Sequence, residues 1–147
     1  MTSETVIQLL RVAFPPGPKP AVSLGNAAVA NAWGDESVRF VEQDRSWEDV
    51  PDTQIAHGTA AFAFLPLESW PYYIPAYILY SLRQMHTFDT EAPQHLVRTL
   101  TRPDGPPATF RVLATPAQRV AILAFLTRWH EVYPWDIDAP ELALWRD

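Results

Sequence analysis

The chain has 147 residues, 48% of them hydrophobic, and 11 basic against 17 acidic side chains give a net charge of −6. That length sets one domain as the expected count and suffices to bury a core without covalent staples. The absence of cysteine excludes disulfides, thiolate zinc sites and a thiol nucleophile. A single lysine, Lys19, and scattered arginines offer none of the basic stripe that nucleic-acid binding needs.

Five glycines argue against Gly-rich phosphate loops, and fifteen prolines argue for short elements joined by stiff connections. Glu4, Gln8 and Arg11 interrupt the N-terminal apolar run, unlike a secretory signal. No run of about 18 apolar residues occurs, so no membrane-spanning helix is expected. The expected location is the cytoplasm.

Residues 3–14 read as the first helix, with Ser3 as cap. Val6, Leu9, Leu10 and Ala13 lie on one face, Gln8 and Arg11 opposite. The run Pro15-Pro16-Gly17-Pro18-Lys19-Pro20 stops it and forms an extended connector. Residues 21–33 are ambiguous: four alanines favour helix, while Gly25, Asn26 and Asn31 weaken it. Asp35 is placed as a cap before a helix over 36–43 bearing Val38 and Val41. Ser46 is placed as the cap of a turn carrying Trp47, Glu48 and Asp49, and Asp52 as the start of a short helix through Ile55 and His57. The acids Glu48, Asp49 and Asp52 favour helix N-termini electrostatically and are also a candidate contact surface for a basic partner.

Residues 59–82 dominate the chain. Glu68 is the one charge among 24 positions, which include Trp70, three prolines and four tyrosines. Pro66 reads as a helix start with Glu68 in its first turn, and Pro71 as the end or kink of that piece. Pro75 then opens a stronger helix through about His86. Tyr73, Tyr77 and Tyr80 share one face; Ile74, Ile78, Leu82 and Met85 lie beside them. Such a helix is expected to be buried and central. The tyrosines have two readings, as core with locally bonded hydroxyls or as an interface patch. Glu68 likewise reads either as a first-turn residue or as a buried acid–base group.

Residues 87–101 follow as a helix, capped by Asp89 or Thr90, with Leu96, Val97 and Leu100 inward. Arg102-Pro103-Asp104-Gly105-Pro106-Pro107 reads as a loop, and 109–113 as a short strand. Thr115-Pro116 is a cap followed by proline at the first helical position. Gln118, Ile122, Phe125, Leu126 and Trp129 repeat on one face of the helix it opens. Tyr133-Pro134-Trp135 ends that helix. Asp138 or Ala139 begins a last one, which Leu142 and Trp145 anchor.

The segment Phe64-Leu65-Pro66-Leu67-Glu68 through Tyr72-Tyr73-Ile74-Pro75-Ala76-Tyr77 resembles the core of a family of small bacterial domains of unknown function. Phe14-Pro15, Trp47, and Gln118 with Phe125-Leu126 match its other landmarks in order. Ile74 stands where leucine is commoner. These motifs are aromatic and structural. The resemblance implies kinship of fold, and for some members an immunity or accessory role beside bacterial toxins.

The histidines, at 57, 86, 95 and 130, include no pair at the i, i+4 spacing of a helical metal site, and no nucleophile elbow, phosphate loop or dinucleotide fingerprint occurs. Asp136, Asp138 and Glu141 lack the glycine and the ligand number of a calcium loop. Residues 1–147 are therefore expected to form a single, predominantly helical domain of about five to seven helices, with room for one minor strand pair. The helices starting at Pro75 and Pro116 are placed at its centre. The expected function is a non-enzymatic protein-binding module, an immunity or accessory protein in its specific form, with a basic partner and without cofactor or metal. Its contact residues are Glu48, Asp49, Asp52 and the exposed part of the segment holding Trp70, Tyr73, Tyr77 and Tyr80. The alternative is a small enzyme or ligand-binding protein with a pocket near Glu68 and the tyrosines. A homo-oligomer that buries the aromatic stripe is a third reading.

Overall fold

A computed structural model describes residues 1–87 and 91–146. Among these the regular structure is entirely helical: α1 (Ser3–Ala13), α2 (Leu24–Asn31), α3 (Asp52–His57), α4 (Trp70–Arg83), α5 (Glu91–Thr101), α6 (Gly105–Leu113), α7 (Pro116–Val132) and α8 (Ala139–Ala143). Single 3-10 turns stand at Glu36–Val38, Trp47–Asp49, Ala61–Ala63 and Leu67–Ser69. The chain packs as two units, Met1–Pro15 with Val97–Asp147, and Pro16–Leu96.

In the first unit α1 packs along α7, and α8 packs on α7. Thr2, one residue ahead of the expected Ser3, caps α1 by accepting the Thr5 N–H at 3.2 Å. Val6, Leu10 and Ala13 are its buried face. In α7 the Thr115 hydroxyl accepts the Gln118 N–H while the Gln118 side chain accepts the Thr115 N–H, both at 3.1 Å. Ile122, Phe125, Leu126 and Trp129 are buried along it, as their spacing requires. Asp138 and Glu141 close the same reciprocal cap on α8, and Asp136 accepts the Trp129 indole N–H at 2.9 Å. Trp145 anchors the end of the chain through its indole N–H, which donates to the Leu100 carbonyl at 2.8 Å.

Residues 109–113 are the end of α6, not a strand. Asp104 occupies the cap position and proline stands in the first turn, where a missing N–H costs no bond. Pro107, Phe110 and Arg111 are then buried at helical spacing. Five residues of partial alternation were too short to separate the two periods.

The second unit is built around α4. This helix begins at Trp70, earlier than Pro75, and ends at Arg83, before His86, which has a φ of 67°. Pro71 neither ends nor kinks it, because it lies in the first turn. Pro75 lies inside, and its absent N–H deprives only the carbonyl of Pro71 four residues back. The expected helix over 36–43 is reduced to the turn Glu36–Val38, capped by Asp35 through the Ser37 N–H at 2.9 Å. Arg39 then turns extended at φ −67°, ψ 120°, because Glu42 and Asp44 are drawn to partners that a helix could not reach. Ser23 caps α2 in a reciprocal box with Asn26. The expected caps of α5, Asp89 and Thr90, lie outside the described residues.

Candidate functional site

The α4 tyrosines are core residues with committed hydroxyls. Tyr72 donates to Asp44 Oδ2 and Tyr77 to the Gly58 carbonyl, each at 2.5 Å, and the Tyr73 oxygen accepts the Leu24 N–H at 3.2 Å. Edge contacts join Phe62 to Trp70 and Tyr77, and Tyr72 to Tyr73. Burial, the largest cause, pushes all three phenols far above their ordinary value of 10.0, and the Asp44 carboxylate pushes Tyr72 further. Tyr80 is buried too, and Trp70 is buried with its indole N–H on the Leu65 carbonyl at 3.1 Å. Of the 70–80 segment only Pro71 is exposed, so Trp70, Tyr73, Tyr77 and Tyr80 offer no contact surface.

Glu68 is exposed on the turn Leu67–Ser69. The other expected acids occupy the Trp47–Asp49 turn and the start of α3. Asp49 accepts the Ser46 hydroxyl at 3.1 Å, and Asp52 pairs with Arg83 at 3.4 Å. Glu48 is half-buried. Asp49 and Asp52 are exposed.

A second polar group lies inside the unit. Lys19 Nζ stands 3.0 Å from Asp44 Oδ1 and 3.1 Å from Glu42 Oε2. Glu42 Oε1 accepts the Ser23 hydroxyl at 2.6 Å and the Gly25 N–H at 3.1 Å. The Asp44 side chain is 1% exposed, so its charge depends on Lys19 and Tyr72. The group ties the proline-rich connector, the 39–46 segment and α4 together. Its partners lie 25 and 28 residues apart in the chain, which no local pattern reveals.

The surface feature that stands out is the corner after α2. Trp33 is 99% exposed and holds φ 59°, a left-handed conformation strained for any residue with a Cβ. Gly34 follows at φ 87°, and its N–H bonds back to the Val29 carbonyl at 2.9 Å. Asp35 and Glu36 come next, both exposed. The turn Glu36–Val38 packs on α2. An indole is thus presented to solvent two residues ahead of Asp35, which caps the turn, and three ahead of Glu36, which pairs with Arg39 at 2.7 Å. Its exposure could not be read from sequence; the one local sign was Gly34 directly after the helical stretch.

The sequence profile of a family of unknown function, DUF6714, matches residues 2–138. The chain belongs to that family. The kinship expected from the order of the aromatic segments therefore holds at the level of a family of unknown function. The family's span includes Lys19, the Trp33 corner and the whole of α4, and stops short of α8 and Trp145. No curated protein matches the chain, and no solved structure does. Among the described residues no group of three or more histidine or acidic side chains is placed to hold a metal ion, and no helix is long and apolar enough to cross a membrane.

Proposed function

We propose that this protein is a non-enzymatic protein-binding module, with Trp33 as the anchor for a basic partner. The observation that carries the reading is a tryptophan held almost wholly in solvent on a strained corner. Strain of this kind persists where the surroundings enforce it and clusters at binding positions. Exposed tryptophan is also the side chain most enriched among binding hot spots. Asp35 and Glu36 follow it, Glu36 paired with Arg39 at 2.7 Å, and the net charge of −6 favours encounter with a basic surface. The resemblance of the aromatic core adds the specific form: an immunity or accessory protein acting beside a toxin in the bacterial cytoplasm.

The test is calorimetric titration of the full chain with the purified product of the adjacent reading frame. Trp33→Ala is expected to weaken binding by about thirtyfold, the mark of a hot spot. Neutralising Asp35 and Glu36 should slow association and flatten its salt dependence. Undiminished binding by Trp33→Ala removes the reading. A stable dimer lost in Trp33→Ala would make the partner a second copy of the chain. The alternative of an enzyme or ligand pocket at Glu68 has no comparable support, since Glu68 faces solvent and the neighbouring phenols are bonded to their own chain.

A further inference from the structure

In the first unit two arginines meet over one indole. The guanidinium carbons of Arg111 and Arg119 lie 5.9 and 5.6 Å from the Trp145 ring centroid. Arg111 is only 7% exposed, and its Nη1 donates to the Leu100 carbonyl at 3.3 Å. Arg119 donates from Nη1 to the Arg111 carbonyl at 2.6 Å and from Nη2 to the Leu144 carbonyl at 3.3 Å. The two side chains therefore gather carbonyls from the ends of α5, α6 and the segment after α8, which explains why arginine stands at each position. Among the described residues neither guanidinium reaches a carboxylate. Arg119 Nε is buried without a hydrogen-bond partner.

Both arginines line an open surface cavity of about 460 Å³, bordered also by Ala108, Val112, Ala114 and Leu144. Burial, and then the charge of Arg119, hold the Arg111 pKa below its ordinary value, as expected for a buried cation beside a second one.

We infer that this cavity binds a small phosphate monoester. Two neighbouring guanidiniums match a dianion, and their planar N–H arrays suit phosphate oxygens. The volume exceeds that of a bare phosphate, and the alanine, valine and leucine walls accept the carbon portion of an ester. The Leu144 wall lies beyond the span matched by the family profile. The inference is independent of the Trp33 corner and stands or falls separately.

Glycerol 3-phosphate is the probe, titrated into the full chain by calorimetry and followed by the indole N–H resonance of Trp145. A single saturable site is expected, weakening several-fold as salt rises from about 50 to about 200 mM. Arg119→Gln should weaken binding at least about tenfold, the loss of one charge-assisted contact. That change also frees two carbonyls, so a second variant is needed. Val112→Glu alters a residue that is 84% exposed, touches none of these bonds and sets a negative charge at the mouth. It should weaken binding at least about fivefold. Absence of saturation at about 10 mM probe, well below ordinary ligand affinities, would overturn the inference. So would equal affinity in wild type and Val112→Glu, or a carboxylate dianion, succinate, binding as tightly as the phosphate ester.

Discussion

The Tyr72 hydroxyl donates a hydrogen bond to Asp44 Oδ2 at 2.5 Å, and the other oxygen of Asp44 lies 3.0 Å from Lys19 Nζ. The buried carboxylate is thus held from opposite sides by α4 and by the proline-rich connector. Lys19→Met leaves Asp44 and Glu42 as two acids without a cation. Because Lys19 is itself 25% exposed, the expected loss is about 1–3 kcal/mol, below that of a fully buried pair. Urea denaturation measures it, and a loss under about 0.5 kcal/mol, the range of an ordinary surface change, would show that the pairing is not structural. Lys19 is also the sole lysine. Amine-reactive labelling of the native protein should therefore be fast at the α-amino group and slow at Lys19.

Gly58 is required by space, not by backbone angle. Its φ is −95°, but an added Cβ would lie 2.7 Å from the Tyr77 hydroxyl and 3.1 Å from the Gln54 carbonyl. Gly58→Ala is expected to destabilise by about 1–3 kcal/mol through overpacking. Tyr77→Phe should cost about 1 kcal/mol for the lost hydrogen bond. Removing the hydroxyl also removes the nearer obstacle, so the double variant should be less destabilised than the sum. Additive losses in a denaturation cycle would contradict this packing.

The phenols of Tyr72, Tyr73 and Tyr77 all have raised values in the folded chain. A raised folded value means the unfolded chain loses its protons first, near pH 10, while the folded chain keeps them. The contribution is therefore fully present below pH 10 and is lost as pH rises toward the folded values. Tyr77 alone gives a slope of about 1.4 kcal/mol per pH unit above that point. Denaturation midpoints should be flat from pH 7 to 9 and fall from pH 10. Tyrosinate absorbance should rise sharply only with unfolding. Smooth, early ionisation of all five tyrosines in the folded protein would refute the assignment of these phenols to the core.

Trp33 separates stability from binding. Its side chain packs on nothing, so Trp33→Ala should change stability by no more than about 0.5 kcal/mol. Trp33→Gly removes the left-handed strain at φ 59° and should leave the fold as stable, or up to about 1 kcal/mol more stable. Thermal melts of both variants, set beside partner titrations, decide the matter. A large loss of stability in either would mean that Trp33 is a packing residue.

Helices with local signals were legible. Thr115-Pro116 and Gln118 announced α7, and Asp138 announced α8, because a cap is a contact between residues three apart. The apolar circumference of α4 announced its burial. Its start was misplaced because Pro71 and Pro75 both permit a first turn, and only the preceding turn Leu67–Ser69 decides that the helix is already running at Trp70. The region 36–43 shows the opposite case: its helical spacing is overridden by Glu42 and Asp44, whose partners lie outside the segment.

From the sequence alone came a predominantly helical chain, the apolar helix at its heart, the caps that bound its clearest elements, and kinship with a family of unknown function. These follow from periodicity and nearest-neighbour chemistry, which are local. The tertiary structure decided which polar groups are engaged. It set the Tyr73 oxygen to accept the Leu24 N–H, 49 residues away, and the Tyr72 hydroxyl to donate to Asp44, 28 residues away, which decided between the core and interface readings of the stripe in favour of core. It also left Trp33 in solvent and brought Arg111 and Arg119 over Trp145, where among the described residues no carboxylate pairs with either. Exposure and charge balance depend on residues far apart in the chain, so both candidate surfaces emerged only once the chain was folded.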